Sequence, residues 1–69
     1  MTILTITLNG EPRTVAAGSS IAALAAEIGL NPKKIAVERN LEIVPRSTLG
    51  SVLLVEGDIL EIVHFVGGG

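Results

Sequence analysis

Among side chains able to act as a base, a nucleophile or a metal ligand, this 69-residue chain has one histidine, His64, seven carboxylates and no cysteine. Without cysteine there is no thiol nucleophile, no thiolate metal site and no disulfide. The serines and threonines are scattered, and no base is spaced to sit beside any of them, so a Ser/His/Asp site has no positive support. Glu56, Asp58 and Glu61 lack the dense alternation of a calcium loop and read as turn and strand-surface carboxylates. His64 reads as a strand residue at a sheet margin. Gly67-Gly68-Gly69 precedes no helix and so is no phosphate-binding loop. The end of the chain remains. Four residues beyond Phe65 extend about 13 Å, which matches the radius of about 11 Å expected for a body of this size. Three residues without side chains fit a channel too narrow for any Cβ and bring the α-carboxylate to a recessed centre. Ordering such a flexible segment costs backbone entropy, which suits a transient, transferable interaction. Against this stands a dull alternative, a frayed terminus or a remnant of cloning, and the glycines alone do not separate the two readings.

Presenting such a tail requires a rigid body, and the pattern upstream supplies one. Apolar and polar residues alternate from Thr2 to Leu8, putting Leu4, Ile6 and Leu8 on one side of a strand and Thr5 and Thr7 on the other. Asn9-Gly10 tolerates the two positive φ angles of a type I′ turn. The return strand, Glu11 to Val15, contains Pro12, which cannot donate to a ladder and so belongs at a sheet edge. A serine N-cap then opens a helix from Ile21 to Ile28, with Ile21, Leu24, Ala25 and Ile28 as one apolar stripe. Gly29 and Asn31-Pro32 stop it. Ile35 to Arg39 and Glu42 to Val44 read as two further strands. Asn40-Leu41 reads as the turn between them, with a longer loop or a bulge open as the alternative because leucine disfavours type I′ geometry. Ser47 to Leu54 has no clean period and has room for a short helical turn. After the Glu56-Gly57-Asp58 turn, Ile59 to Val66 is the longest strand signal, with Leu60, Ile62 and His64 facing one way and Glu61, Val63 and Phe65 the other. A hairpin, a crossing helix and two or three more strands make one α+β domain with a mixed sheet.

Composition excludes several classes of partner. Apolar residues make up 48% of the chain and charged ones 17%, which is material for a core and unlike a disordered segment. A formal charge of −2 and a single aromatic residue offer neither the cationic field nor the stacking surface on which nucleic-acid binding relies. The longest apolar stretch, Ile21 to Leu30, is broken by Glu27 and Gly29 and falls short of the roughly 20 residues of a bilayer span. The start has no signal-peptide pattern. The expectation is a cytoplasmic domain with no membrane and no nucleic acid among its partners.

The Asn9-Gly10 hairpin, the Ala17-Gly18-Ser19-Ser20 helix entry, Ile35 to Asn40, Glu42 to Arg46, and Gly57-Asp58 leading to Glu61 through Gly69 together resemble the ThiS family of sulfur carriers, over essentially the whole chain. That resemblance implies a ubiquitin-like β-grasp fold, with residues 1–66 as the domain and 67–69 as a flexible tail. The sheet would be mixed, of four to five strands, with one main helix across it and the first and last strands parallel at its centre. It implies a carrier in thiamine (thiazole) biosynthesis that acts as a co-substrate and is not itself an enzyme. A ThiF-type adenylyltransferase would activate the carboxylate of Gly69 with ATP and magnesium, neither of which this chain would bind as a cofactor. A persulfide-bearing protein would convert it to a thiocarboxylate, and a ThiG-type thiazole synthase would take the sulfur. Gly68 would be the slim neighbour that activation needs, and Gly67 would add reach. Val63 and Phe65, opposite Leu60 and Ile62 by alternation, are candidates for an apolar docking face, with ordinary core packing as the alternative for Phe65. Five of the seven acids (Glu38, Glu42, Glu56, Asp58, Glu61) lie in the second half, a bias able to steer docking onto a basic surface, though a plain solvated face is the default reading. Other readings remain open: a MoaD-type carrier for molybdopterin synthesis, a ubiquitin-like modifier joined to lysines, or a binding domain with an inert tail.

Overall fold

The computed structural model describes residues 2–65. Its elements run β1 (Ile3–Leu8), β2 (Glu11–Ala16), α1 (Ile21–Glu27), a 3₁₀ turn (Pro32–Lys34), β3 (Ile35–Arg39), β4 (Glu42–Val44), a second 3₁₀ turn (Arg46–Thr48) and β5 (Ile59–His64). The five strands form one sheet in the order β2-β1-β5-β3-β4, with β1 and β5 parallel at its centre and the other pairs antiparallel. This is the ubiquitin-like β-grasp, with five strands where the sequence left four or five.

The turn chemistry acts as expected at the first hairpin. Asn9 and Gly10 hold φ of 49° and 85°, and Leu8 pairs with Glu11 across the two-residue turn. Thr7 pairs with Pro12, while the Thr7 N–H donates to the Asp58 carbonyl on the far side of β1 at 2.8 Å. Pro12 therefore turns its nitrogen to the open edge, where no ladder bond is lost.

Helix α1 is short, and the free N–H groups of its first turn all find acceptors. Ser20 Oγ accepts from Ala23 N at 3.0 Å. The Ile21 and Ala22 N–H groups donate to the carbonyls of Val52 and Leu49, so the irregular segment after the second 3₁₀ turn caps the helix start. At the other end Leu30 N donates to Ala25 O and Gly29 N to Ala26 O, with Gly29 at φ 85°, a Schellman motif. The expected stripe faces the sheet. Ile21, Leu24 and Ala25 are buried, Ile28 partly so, and they meet Ile6, Val15, Ile35, Val37, Leu60 and Ile62 from the strands and Leu49 and Leu54 from the loop. Each fully buried isoleucine or leucine contributes about 1.5–3 kcal/mol, which is how so small a core offsets the cost of ordering the chain.

Two expectations are corrected, and a third, the Asn40-Leu41 turn, takes its tight two-residue form: Arg39 pairs with Glu42, which forces Leu41 to φ 71° at 89% exposure. Leucine is held there because Asn40, at φ 51°, is tied to β5, as described below. Asp58 is not a surface carboxylate but is 2% exposed and ion-paired. Among the described residues β5 ends at His64, although the Phe65 N–H still donates to Lys34 O at 2.8 Å. His64 pairs with Ile35 on the core side of the strand but is solvent-exposed, because it lies at the sheet margin.

Candidate functional site

Strand β5 leads into the C-terminal segment, and its neighbours hold it from end to end. The parallel pairing with β1 covers only Thr7 and Leu8 against Ile59 and Leu60. Beyond that point β1 has turned away, and the side chain of Asn9 takes over the ladder. Its Oδ1 accepts from Ile62 N at 2.8 Å and its Nδ2 donates to Ile62 O at 3.3 Å. At the start of β5, Asn40 does the equivalent from the opposite side. Its Oδ1 accepts from Ile59 N at 2.9 Å, and its own N–H donates to Ile59 O at 2.8 Å. Two asparagines in left-handed turns thus supply amide groups that mimic backbone, and the central strand runs on without unpaired polar groups at these points.

Asp58 anchors the same end. Its Oδ2 accepts from Val55 N at 2.9 Å, Oδ1 accepts from Asn40 Nδ2 at 3.1 Å, and the Arg39 Nε lies 3.1 Å from Oδ2. Burial pushes the Asp58 pKa up, but the Val55 N–H, the Asn40 amide and the Arg39 guanidinium outweigh it and hold the carboxyl below its ordinary range. Glu56 stays on the surface and accepts from Thr5 N at 3.0 Å. Among the described residues no group of three or more His, Cys, Asp or Glu side chains is placed to hold a metal, and no cavity is present.

At the far end of β5 the chain leaves the sheet at Phe65. Arg46 lies over the Phe65 ring, its Cζ 5.6 Å from the centroid, and its Nε reaches Ile35 O at 3.4 Å. Phe65 is 45% exposed and Val63 60%, so neither is a core residue. Gly67, Gly68 and Gly69 lie outside the described residues. The face of the sheet away from α1 carries Val63 opposite Ala36, and Glu61 opposite Glu38, which in turn pairs with Ile43. It is an apolar surface with two like charges in one row.

Alternation along β5 reads Val63 and Phe65 as facing away from the core, and both are exposed, but it gives no sign of the parts that Asn9, Asn40, Asp58 and Arg46 play. Asn9 and Asn40 were read only as turn formers, and Asp58 as a solvated turn residue. Ile43, 74% exposed, was readable from strand alternation but was not singled out.

Comparison with known proteins sets this geometry in a family. The thiazole synthase of Paramagnetospirillum magneticum is 50% identical over 64 residues, 93% of this chain but 20% of that protein, so the chain spans about a fifth of that relative's length. The sulfur carrier protein ThiS of Bacillus subtilis is 46% identical over 50 residues, covering 72% of this chain and 76% of the relative. Among solved structures, the thiamine biosynthesis protein ThiS from Geobacter metallireducens superposes with a TM-score of 0.74 at 28% identity, over 96% of this chain and 100% of that one. The ThiS family model matches residues 6–69, from the second half of β1 through both asparagine clamps to all three glycines, and the chain belongs to the ThiS family.

Proposed function

We propose that the chain is a sulfur carrier for thiazole formation in thiamine biosynthesis, with the α-carboxylate of Gly69 as its reactive group. The observation that carries this reading is the family match, which runs through β5 and on to Gly69. The clamped strand supplies the physics. A chain fixed at Ile59, Ile62 and Phe65 gives the C-terminal segment a set starting point on a body that docks as one unit.

The chemistry needs nothing from the body's side chains. A carboxylate is a poor electrophile, and a ThiF-type adenylyltransferase converts it to an acyl adenylate with release of pyrophosphate from ATP. The terminal sulfur of a persulfide attacks the acyl carbon and AMP leaves, giving an acyl disulfide. A thiolate then cleaves the S–S bond, forming a protein disulfide and freeing the thiocarboxylate. ATP and magnesium belong to the activating enzyme, and the carrier is a co-substrate. Its lack of cysteine leaves no competing thiol on the chain. The thiocarboxylate then gives its sulfur to a ThiG-type thiazole synthase, a partner supported by the 50% identity to a segment of a thiazole synthase.

Reconstitution tests this. Thiazole synthase supplied with its small-molecule substrates and the sulfur-loaded chain is expected to form thiazole in proportion to the loaded chain added. Loading molybdopterin synthase instead, or forming thiazole equally well with unloaded chain, contradicts the assignment.

A further inference from the structure

Of the five basic residues, two are matched by acids: Arg39 by Asp58 at 3.1 Å and Arg13 by Glu27 at 3.6 Å. These are the ion pairs among the described residues. The other three, Lys33, Lys34 and Arg46, are all exposed and all at the point where the chain leaves the sheet. Lys34 O receives the Phe65 N–H at 2.8 Å, Lys33 is its neighbour in the 3₁₀ turn, and Arg46 covers the Phe65 ring while reaching the carbonyl of Ile35. No Asp or Glu occurs in residues 28–37, 43–48 or 62–69, the stretches next to this exit in sequence or pairing, and Glu27, just before the first of them, is ion-paired with Arg13. Glu38 and Glu61 lie three register steps back along β3 and β5, and Glu42 and Glu56 lie beyond the opposite ends of those strands. A molecule of net charge −2 therefore presents a local positive collar where its C-terminal segment begins.

We propose that Lys33, Lys34 and Arg46 dock on an acidic rim around the mouth of the channel that receives the C-terminal segment, on the protein partner that activates it. The inference rests on the carrier reading above and adds the charge of the surface that meets the root. Reach selects the occupant. Four residues beyond Phe65 extend about 13 Å, so when Gly69 sits at a reacting centre the collar stands at the entrance, on protein, and not at the nucleotide phosphates. Fields of opposite sign at the collar and at Glu38 and Glu61 farther back on the sheet orient the approach so that the tail enters first. Arg46, stacked on Phe65, holds its charge in place before contact.

The test is association of the full chain with the ThiF-type adenylyltransferase, measured by stopped flow at low and high salt, alongside KM and kcat for adenylation. Lys33→Gln/Lys34→Gln is compared with Ala23→Glu/Ala26→Glu, which makes the same change in net charge on the outer, exposed face of α1. The expected result is association at least about tenfold slower for the lysine variant at low salt, a gap that closes near about 1 M salt, with KM raised and kcat kept. The helix variant is expected to change far less. Equal effects of the two variants would overturn the collar, because net charge alone would then be acting. So would an unchanged association rate with a raised KM for ATP, which would put the lysines on phosphate. A wild-type chain that does not bind the enzyme at all would instead overturn the carrier reading beneath it.

Discussion

Asn9 and Ile62 stand 53 residues apart in sequence and hold each other by two hydrogen bonds, Asn9 Oδ1 accepting from Ile62 N at 2.8 Å and Asn9 Nδ2 donating to Ile62 O at 3.3 Å. One residue thus shapes the first hairpin and fixes the last strand. Replacing Asn9 by glycine keeps the left-handed backbone and removes the clamp. The expected loss is about 1–2 kcal/mol in urea unfolding, with faster hydrogen exchange at the Ile62 amide. Asn9→Ala adds the strain of φ 49° and is expected to cost about 1–2 kcal/mol more. Equal stability of wild type and the glycine variant would show that the clamp contributes nothing.

Asp58 gives the fold an acid limit. Its folded pKa is held below the ordinary 3.8, so its contribution to stability is complete above that value and is lost as the pH falls through the folded one. Urea midpoints should therefore decline below about pH 4. Asp58→Asn is expected to cost about 3 kcal/mol at neutral pH, since it leaves Arg39 without its partner and turns an amide donor toward other donors. The variant should also show a shallower acid decline. A variant with the wild-type acid slope would rule Asp58 out as the group responsible.

Leu41 is strained for no benefit visible in the described residues. At φ 71° and 89% exposure it makes little contact that its side chain would lose. Leu41→Gly is expected to raise the thermal midpoint, corresponding to about 1 kcal/mol of relieved strain. A lower midpoint would mean that the leucine packs in a way its exposure denies.

Glu38 and Glu61 face each other across β3 and β5 on the uncovered side of the sheet. Like charges directly opposite are unfavourable, so Glu61→Gln is expected to stabilise the free chain by about 0.5 kcal/mol at low salt and by less at high salt. A salt-independent change would point to packing instead of charge.

What was legible in the sequence was local. Asn9-Gly10 announces its turn, Ser20 its cap and Gly29 its helix stop, because each acts on backbone within a few residues. Pro12 reports the sheet edge for the same reason: a missing N–H is a property of one residue. Asn40-Leu41 shows the limit of such rules. A turn is legible there but not its tight form, because leucine's local preference leaves a longer loop or a bulge open, and it is two bonds from Asn40 to Ile59 with one to Asp58 that decide it. Asp58 was misread because its partners, Arg39 and Asn40, arrive only when β3 and β5 pair. Val63 and Phe65 were readable from alternation. The Arg46 that stacks on Phe65 was not, since nothing in the spacing joins positions 46 and 65.

The central claim concerns one atom of Gly69, and intact mass addresses it directly. After incubation with the ThiF-type adenylyltransferase, ATP, magnesium and a persulfide donor, the chain should gain the mass difference between sulfur and oxygen, and fragmentation should place it on Gly69. A chain lacking Gly69 should unfold at the wild-type temperature and take up none. Sulfur uptake by that truncated chain, or lysine conjugates of an otherwise unaltered wild type, would contradict the account.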